Sequence, residues 1–228
     1  MQLLIARHAE TTWNVERRIQ GWTDSALTVH GTQQARALAD RLRTTKLTAI
    51  YSSDSPRAIM TAECVGLWHE LEVVSTPNLR ESSWGEWEGL TADEISGRYP
   101  ELWPKFVARG QDSSEDDADW ESTTLVPGGE SMKDASDRIA LALQEIRARH
   151  VASAERILVV GHGGSLRFLI TNVLGMRAGS ARRFHLDNTS LSEIWFKRDH
   201  PPVLHLLNDI SHLVAEPKSG FSSGSQSQ

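Results

Sequence analysis

The alternation of apolar and polar segments along the chain predicts an α/β fold. Short apolar runs with the length of buried strands occur at residues 3–6, 47–51, 72–74 and 156–160. Segments with apolar residues at three- and four-residue spacing predict amphipathic helices at residues 27–42, 56–66, 131–150 and 165–174. Strands that alternate with helices form a mostly parallel sheet, so we expect a three-layer sandwich with helices on both faces of a central sheet.

The segment after the third predicted strand departs from this alternation. Residues 79–90 are rich in glycine and tryptophan, two short helices are predicted at residues 91–99 and 101–109, and residues 111–124 are acidic with few apolar side chains. We interpret residues 82–127 as a cap inserted into the fold, and its acidic part as a solvated loop.

The last part of the chain contains shorter apolar runs separated by turn residues. They predict strands at residues 184–186, 191–196 and 203–207 that complete the sheet, some of them antiparallel. The composition then becomes rich in Ser, Gly and Gln, which predicts a disordered tail. We therefore expect a single domain over residues 1–213 and a tail over residues 214–228.

Composition changes this picture little, but it excludes several functions. A hydrophobic fraction of 39% and a charged fraction of 24% are typical of soluble globular proteins. The net charge of −6 argues against a general nucleic-acid-binding protein, and no apolar stretch has membrane-spanning length. The start of the chain lacks the basic segment of a signal peptide, and the single cysteine, Cys64, suits a reducing compartment. We expect a cytoplasmic protein, either a monomer or a homodimer.

Candidate functional residues lie where predicted strands end. Arg7 and His8 follow the first strand, Arg57 begins the helix after the second strand, and His162 follows the strand at residues 156–160. Because the carboxyl ends of parallel strands meet at one edge of a sheet, we expect these side chains to share a pocket. Arginine binds phosphate through a planar fork of donors, and the start of a helix adds amide donors. The set therefore predicts a phosphoryl-group site.

The histidines would add reactivity to this cationic pocket. A histidine can act as a nucleophile, and nearby arginines lower its pKa, so His8 would be neutral near pH 7. His162, if protonated, would neutralise charge on the phosphoryl oxygens. An acid for the leaving alkoxide is also needed, and the candidates are Glu81, Glu86 and Glu88. A metal-dependent hydrolase using the two histidines with acidic residues is the alternative, although the chain has no cysteine pair and no H-E-x-x-H motif.

Several segments resemble the histidine phosphatase superfamily, also called phosphoglycerate-mutase-like proteins. The resemblance begins with Arg7-His8 and extends, in the order of the family, over residues 4–14, 18–28, 51–58, 79–81, 85–90, 127–131 and 161–163. One departure is Ala9, which stands where the family usually has glycine. A glycine at such a position can serve a positive φ or a close backbone approach.

The resemblance implies a role for each residue of the site. His8 would be the phosphorylated nucleophile, Glu81 would donate a proton to the leaving group, and no metal or cofactor would be needed. The phosphoryl group would be held by Arg7, Arg57 and His162, with Asn14, Gln20 and Gly163 in the wall of the pocket. The substrate would be a small phosphorylated metabolite.

The resemblance leaves a choice between a phosphatase and a mutase. In the mutases a tyrosine-containing pattern and a long basic insertion follow the acid residue. Here Glu81 is followed by the tryptophan-rich residues 84–90 and then by a strongly acidic insertion, which is a poor host for a bisphosphate. We therefore favour a phosphomonoester phosphatase. The alternatives are a cofactor-dependent phosphoglycerate mutase and, because of Ala9, a phosphate-binding member with weakened catalysis.

Overall fold

A computed structural model describes residues 1–111, 121–150 and 155–213, and the side chains of residues 109–111 lie outside that description. The predicted acidic loop therefore lies largely outside the described residues, and the predicted tail lies outside them entirely.

The centre of the fold is a six-stranded sheet with the strand order β3-β2-β4-β1-β5-β6. Its strands are β1 (Gln2–Arg7), β2 (Ala49–Ser53), β3 (Val73–Thr76), β4 (Arg156–Gly161), β5 (Leu191–Trp195) and β6 (Val203–Asp209). The first four are parallel to one another, whereas β5 and β6 pair antiparallel at one edge. The predicted mostly parallel sheet with added antiparallel strands is confirmed.

Helices cover both faces of this sheet. They are α1 (Thr12–Glu16), α2 (Val29–Leu42), α3 (Pro56–His69), α4 (Ala92–Arg98), α5 (Trp103–Gln111), α6 (Met132–Arg149) and α7 (Gly163–Val173). Alternate side chains of a strand point to opposite faces. Accordingly Leu3 and Ile5 pack in the core beneath α6 and α7, whereas Leu4 and Ala6 pack in the core beneath α2 and α3. The predicted three-layer sandwich is thus confirmed.

The segment predicted as an inserted cap contains, in its described residues, an aromatic cluster around Trp87, whose side chain is completely buried. Helices α4 and α5, which were predicted from the sequence, pack on it through Tyr99, Trp103 and Phe106. This cluster holds the segment together next to the carboxyl end of the sheet. The abundance of tryptophan in this part of the chain therefore reflects packing to a large extent.

The prediction of a strand at residues 184–186 is wrong. A 3₁₀ helix (Ala178–Arg183) precedes these residues, which themselves have irregular backbone. The Leu186 side chain is buried in the core, which explains its apolar character. Its carbonyl oxygen accepts a hydrogen bond from Nη1 of Arg7 at 2.7 Å, which ties this irregular segment to the end of β1.

Candidate active site

The ends of the two central strands bring His8 and His162 together. Strands β1 and β4 are parallel with Arg7 opposite Gly161, and the backbone N–H of His8 donates to the Gly161 carbonyl at 2.8 Å. The two imidazole rings therefore meet edge to face, with their centroids 5.2 Å apart. Residues far apart in the sequence lie side by side because both strands end at the same level of the sheet.

His8 is held in one tautomer and is uncharged. Its Nδ1 is 2.8 Å from the Ala9 carbonyl oxygen and must carry the proton, because a carbonyl can only accept. Nε2 is then the atom with a free lone pair. The side chain is 3% exposed, and burial together with Arg7 and Arg57 lowers the pKa of His8 well below its usual range. A neutral imidazole with an open Nε2 is a competent nucleophile.

Arg57 is the most firmly held cation of the site. It lies in the first turn of α3, and its guanidinium donates to the Gly21 carbonyl and to Oδ1 of Asp24, each at 2.7 Å, and to the Thr23 carbonyl at 3.0 Å. The loop at residues 21–24 thus wraps around Nη1 and Nη2. Because these contacts fix the plane of the guanidinium, the N–H of Nε, the nitrogen without a partner, points in a single direction.

His162 precedes α7 and is uncharged in the free pocket. Its Nε2 is 2.8 Å from Oγ of Ser53, and Ser53 in turn donates to Oγ of Ser55, so the His162 proton lies on Nε2. Burial and, next, Arg57 lower the pKa of His162 well below its usual range. The protonated state in which His162 would neutralise phosphoryl charge is therefore not the state of the free pocket. A bound dianion would favour proton uptake at Nδ1, next to the phosphoryl group.

Unpaired polar atoms mark the centre of the site. Among the described residues, buried side-chain atoms without a hydrogen-bond partner include Nε of Arg7, Nε of Arg57, Nδ1 of His162 and Oε1 of Gln20. Leaving such an atom unsatisfied costs about 1–3 kcal/mol. Arg7, Arg57 and Gln20 line one cavity of about 270 Å³ together with His8, and His162 packs against His8. A tetrahedral oxyanion in this cavity would accept from Nε of Arg7 and Nε of Arg57, and from Nδ1 of His162 once that atom carries a proton.

Glu81 lines the same cavity and is held there by backbone N–H groups in the first turn of α7. Its Oε2 accepts from the Gly164 N–H at 2.8 Å, and its Oε1 accepts from the N–H groups of Ser165 and Ser82, each at 2.9 Å. A Cβ on Gly164 would collide with Oε1 of Glu81, which is the physical reason for a glycine at this position. The carboxyl group thus lies at the cavity wall beside His8 and Arg7.

The other two candidate acids lie elsewhere. Glu86 accepts a hydrogen bond from the Tyr99 hydroxyl in the inserted segment. Glu88 accepts from the N–H groups of Trp22, Thr23 and Trp84, so it organises the loop that wraps around Arg57. The geometry therefore leaves Glu81 as the carboxyl group that faces the cavity.

The three residues expected in the pocket wall also lie there. Asn14, Gln20 and Gly163 line the same cavity as His8. Oδ1 of Asn14 accepts from the Thr11 N–H at 3.1 Å and from Nδ2 of Asn188 at 3.2 Å. These contacts hold the amide of Asn14 in place at the cavity.

Two further residues of the site were missed from the sequence. Arg167 lines the cavity, and its Nε donates to the Gly163 carbonyl at 2.9 Å. The spacing of four residues between Gly163 and Arg167 on one helix was the signal that could have revealed it. Asn188 donates to the His8 carbonyl at 2.9 Å, and no local pattern announces that contact because 180 residues separate the two.

Ala9 is accommodated without backbone strain. It is absent from the positive φ values of the described residues, and its side chain is fully buried. Its N–H donates to Oγ1 of Thr61 at 3.0 Å, and Thr61 bonds back to the carbonyl of Arg57. The position therefore has no requirement for the left-handed conformation that favours glycine.

Stability should depend on pH through the two buried histidines. The pKa values of His8 and His162 are lowered in the folded protein, so below about pH 6.5 the unfolded chain binds more protons. We expect the free energy of unfolding to decrease as the pH falls below about 6.5, by on the order of 1 kcal/mol per pH unit for each histidine, and not to change through them above about pH 7. Urea unfolding at a series of pH values measures this slope.

The matched variants for that measurement are His8→Asn and His30→Asn. His30 is exposed on α2 and leaves the pocket intact. We expect a shallower slope for His8→Asn and the wild-type slope for His30→Asn. An equal slope in all three proteins would contradict the assignment of a neutral buried His8.

Comparison with known proteins agrees with this fold, and the chain belongs to the histidine phosphatase superfamily. A model of its branch 1 matches residues 3–210. A relative named "Probable phosphoglycerate mutase GpmB" from Enterobacter sp. (strain 638) is 35% identical over 219 residues, which are 94% of this chain and 96% of the relative.

Solved structures agree with this assignment. The α-ribazole phosphatase from Shigella flexneri has 27% identity and a TM-score of 0.80, and the match covers 92% of this chain and 96% of that one. A phosphoserine phosphatase mutant from Entamoeba histolytica, in complex with phosphoserine, has 30% identity and a TM-score of 0.76, covering 93% of this chain and 99% of that one.

Two further observations concern the described part of the chain. None of its helices combines the length and the apolar character that crossing a membrane requires. Its histidine, cysteine and acidic side chains form no group of three or more that could hold a metal ion.

Proposed function

We propose that the protein is a metal-independent phosphomonoester phosphatase that works through a phosphohistidine on His8. The observation that carries the proposal is the neutral, buried imidazole of His8, with Nε2 open, beside the unpaired Nε atoms of Arg7 and Arg57. Such a cavity combines a nucleophile with donors for a phosphoryl group, whereas it offers little to a neutral ester.

The first step transfers the phosphoryl group to His8. Nε2 attacks phosphorus in line with the ester oxygen, a P–N bond forms and the P–O bond breaks. Glu81, in its protonated form, gives its proton to the departing oxygen, so that an alcohol leaves rather than an alkoxide. Arg7 and Arg57 stabilise the charge on the non-bridging oxygens throughout the step.

The second step releases phosphate. Glu81, now a carboxylate, takes a proton from a water molecule whose oxygen attacks phosphorus. The P–N bond breaks, inorganic phosphate leaves, and His8 returns to its neutral form with the proton on Nδ1. Because the alcohol leaves before water enters, the reaction is a ping-pong sequence.

His162 would add charge only when substrate is bound. Its Nδ1 is buried and unpaired among the described residues, and its pKa is low while the pocket is free. A phosphoryl dianion beside it favours the protonated form, which then donates from Nδ1 to a phosphoryl oxygen. The positive charge on His162 is then present in the transition state, where it stabilises the negative charge on the phosphoryl oxygens.

The surroundings of the pocket support hydrolysis over transfer to a second phosphate ester. The cavity that adjoins the phosphoryl pocket is walled largely by apolar side chains such as Trp84, Phe106 and Val126. An acceptor that carries a carboxylate and a second phosphate would be desolvated against this wall, where Arg167 and Arg182 are the cationic side chains among the described lining residues. The phosphatase names of structurally similar proteins point in the same direction.

Phosphoglycerate mutase activity is the second candidate, because relatives at 35% identity are named probable phosphoglycerate mutases. A mutase would need the same phosphohistidine. It would differ in passing the phosphoryl group back to an acid-bearing acceptor before water reaches it.

A panel of phosphorylated metabolites, assayed with and without EDTA, tests the proposal. It includes 3-phosphoglycerate with a catalytic amount of 2,3-bisphosphoglycerate. We expect phosphate release that EDTA does not reduce, because the described residues offer no cluster of metal-ligating side chains. Loss of activity with EDTA and its recovery with a divalent ion would contradict metal independence. Formation of 2-phosphoglycerate faster than phosphate release would assign the mutase activity instead.

A further inference from the structure

A second cavity lies beside the phosphoryl pocket, beneath the inserted segment. Its volume is about 340 Å³, within the range of small-molecule sites. Side chains from α5, from the stretch before α6, and from α7 form its wall. We call it the apolar chamber, and the side chains that characterise it are Trp84, Phe106, Val107, Leu125, Val126 and Phe168.

The apolar chamber adjoins the phosphoryl pocket. The two cavities share four lining residues, which are Glu81, Trp84, Gly164 and Arg167. The proposed proton donor therefore stands at the boundary between them, where the ester oxygen of a bound substrate would lie. The alcohol part of that substrate would then extend from Glu81 into the chamber.

The chamber wall also carries charged side chains, namely Glu81, Glu130, Arg167 and Arg182, and each of them bonds to the protein. Arg167 donates through Nε to the Gly163 carbonyl, and Arg182 donates through Nη2 to Sδ of Met132. Glu130 accepts from Arg138 at 2.7 Å and 2.9 Å, and from the Ser83 N–H at 2.9 Å. Ser131 donates to Asp134 at 2.7 Å as part of the cap of α6. Glu130 and Ser131 have formed their bonds without a ligand and the rest of the wall is largely apolar, so a polyhydroxylated alcohol would lose water there for little return.

We infer that the substrate is a monoester of phosphate with an apolar alcohol, whose alkyl or aryl group occupies the apolar chamber. This inference rests on the proposed phosphatase activity and narrows its substrate class. Burial of the apolar group supplies binding energy, and the phosphoryl pocket supplies the chemistry. The tryptophan-rich inserted segment thus contributes to specificity through Trp84 as well as to packing through Trp87.

A series of n-alkyl phosphates, from ethyl to octyl, tests the inference on the wild-type protein. The leaving alcohols have nearly the same acidity. Differences in rate along the series therefore report contacts between the alkyl group and the protein rather than differences in the ease of P–O cleavage. We expect kcat/KM to rise about fourfold with each added methylene until the chamber is full, as the burial of a methylene implies. We also expect hexyl phosphate to exceed 3-phosphoglycerate and glucose 6-phosphate.

A charged side chain in the chamber should remove this preference. Val107 is 37% exposed at the chamber wall, so Val107→Glu should not disturb the core. We expect it to lower the ratio of kcat/KM between octyl and ethyl phosphate by at least about tenfold. The matched control is Leu141→Glu, which places the same charge at a 47% exposed position on α6 and should leave the ratio unchanged.

The outcomes separate the two proposals. Hydrolysis that does not increase with chain length, or a preference for 3-phosphoglycerate or glucose 6-phosphate, would overturn the apolar chamber as the substrate subsite while the phosphatase activity stands. No hydrolysis of any ester would overturn the phosphatase activity itself. The wild-type series decides the question even if Val107→Glu does not fold.

Discussion

Replacing His8 by alanine should lower the hydrolysis of p-nitrophenyl phosphate by about four orders of magnitude or more, as the loss of a nucleophile does in other covalent enzymes. Nε2 of His8 is the atom that the pocket leaves open beside the unpaired arginine nitrogens, and alanine provides no replacement. The measurement is the steady-state rate, together with rapid acid-free quenching of a ³²P-labelled substrate to detect phosphohistidine. We expect label on the wild-type protein and none on His8→Ala.

The control for this experiment is His30→Ala, which removes an exposed histidine on α2 and should retain wild-type rate and labelling. Binding of inorganic phosphate or vanadate to His8→Ala would show that the pocket is still formed, because Arg7, Arg57 and His162 remain. If His8→Ala kept more than about a hundredth of the wild-type rate, or still became labelled, the nucleophile would have to be sought elsewhere.

Replacing Glu81 by glutamine should slow esters of poor leaving groups by about 10²- to 10⁴-fold, the usual contribution of a general acid. An alkoxide needs a proton as it departs, whereas p-nitrophenolate is stable without one. We therefore expect a loss of less than about tenfold in the first step for p-nitrophenyl phosphate. The measurement compares single-turnover formation of phosphohistidine from octyl phosphate and from p-nitrophenyl phosphate.

The control is Glu86→Gln, because Glu86 bonds to Tyr99 in the inserted segment, away from the pocket. It should behave like the wild-type protein with both esters. An equal loss for both esters in Glu81→Gln would mean that Glu81 positions α7 through its bonds to Gly164 and Ser165 rather than donating a proton.

Local patterns in the sequence were sufficient for most of the fold. The spacing of apolar residues predicts the positions of β1, β2 and β4 and of the helices that cover them. This works because the faces of an element that are buried determine which of its positions are apolar. Residues 184–186 show the limit of this rule. Their apolar Leu186 is buried in irregular backbone, and a short apolar run does not reveal which backbone conformation buries it.

The sequence by itself was enough to predict that four side chains meet at one edge of the parallel sheet, because each follows or begins an element that ends there. They are Arg7, His8, Arg57 and His162, the last in ring contact with His8. Only the tertiary structure decided the proton states, because the degree of burial and the distance between charges arise from packing. It also decided which glutamate faces the pocket, as backbone N–H groups of α7 select Glu81. The apolar chamber arises in the same way, from side chains that distant segments bring together.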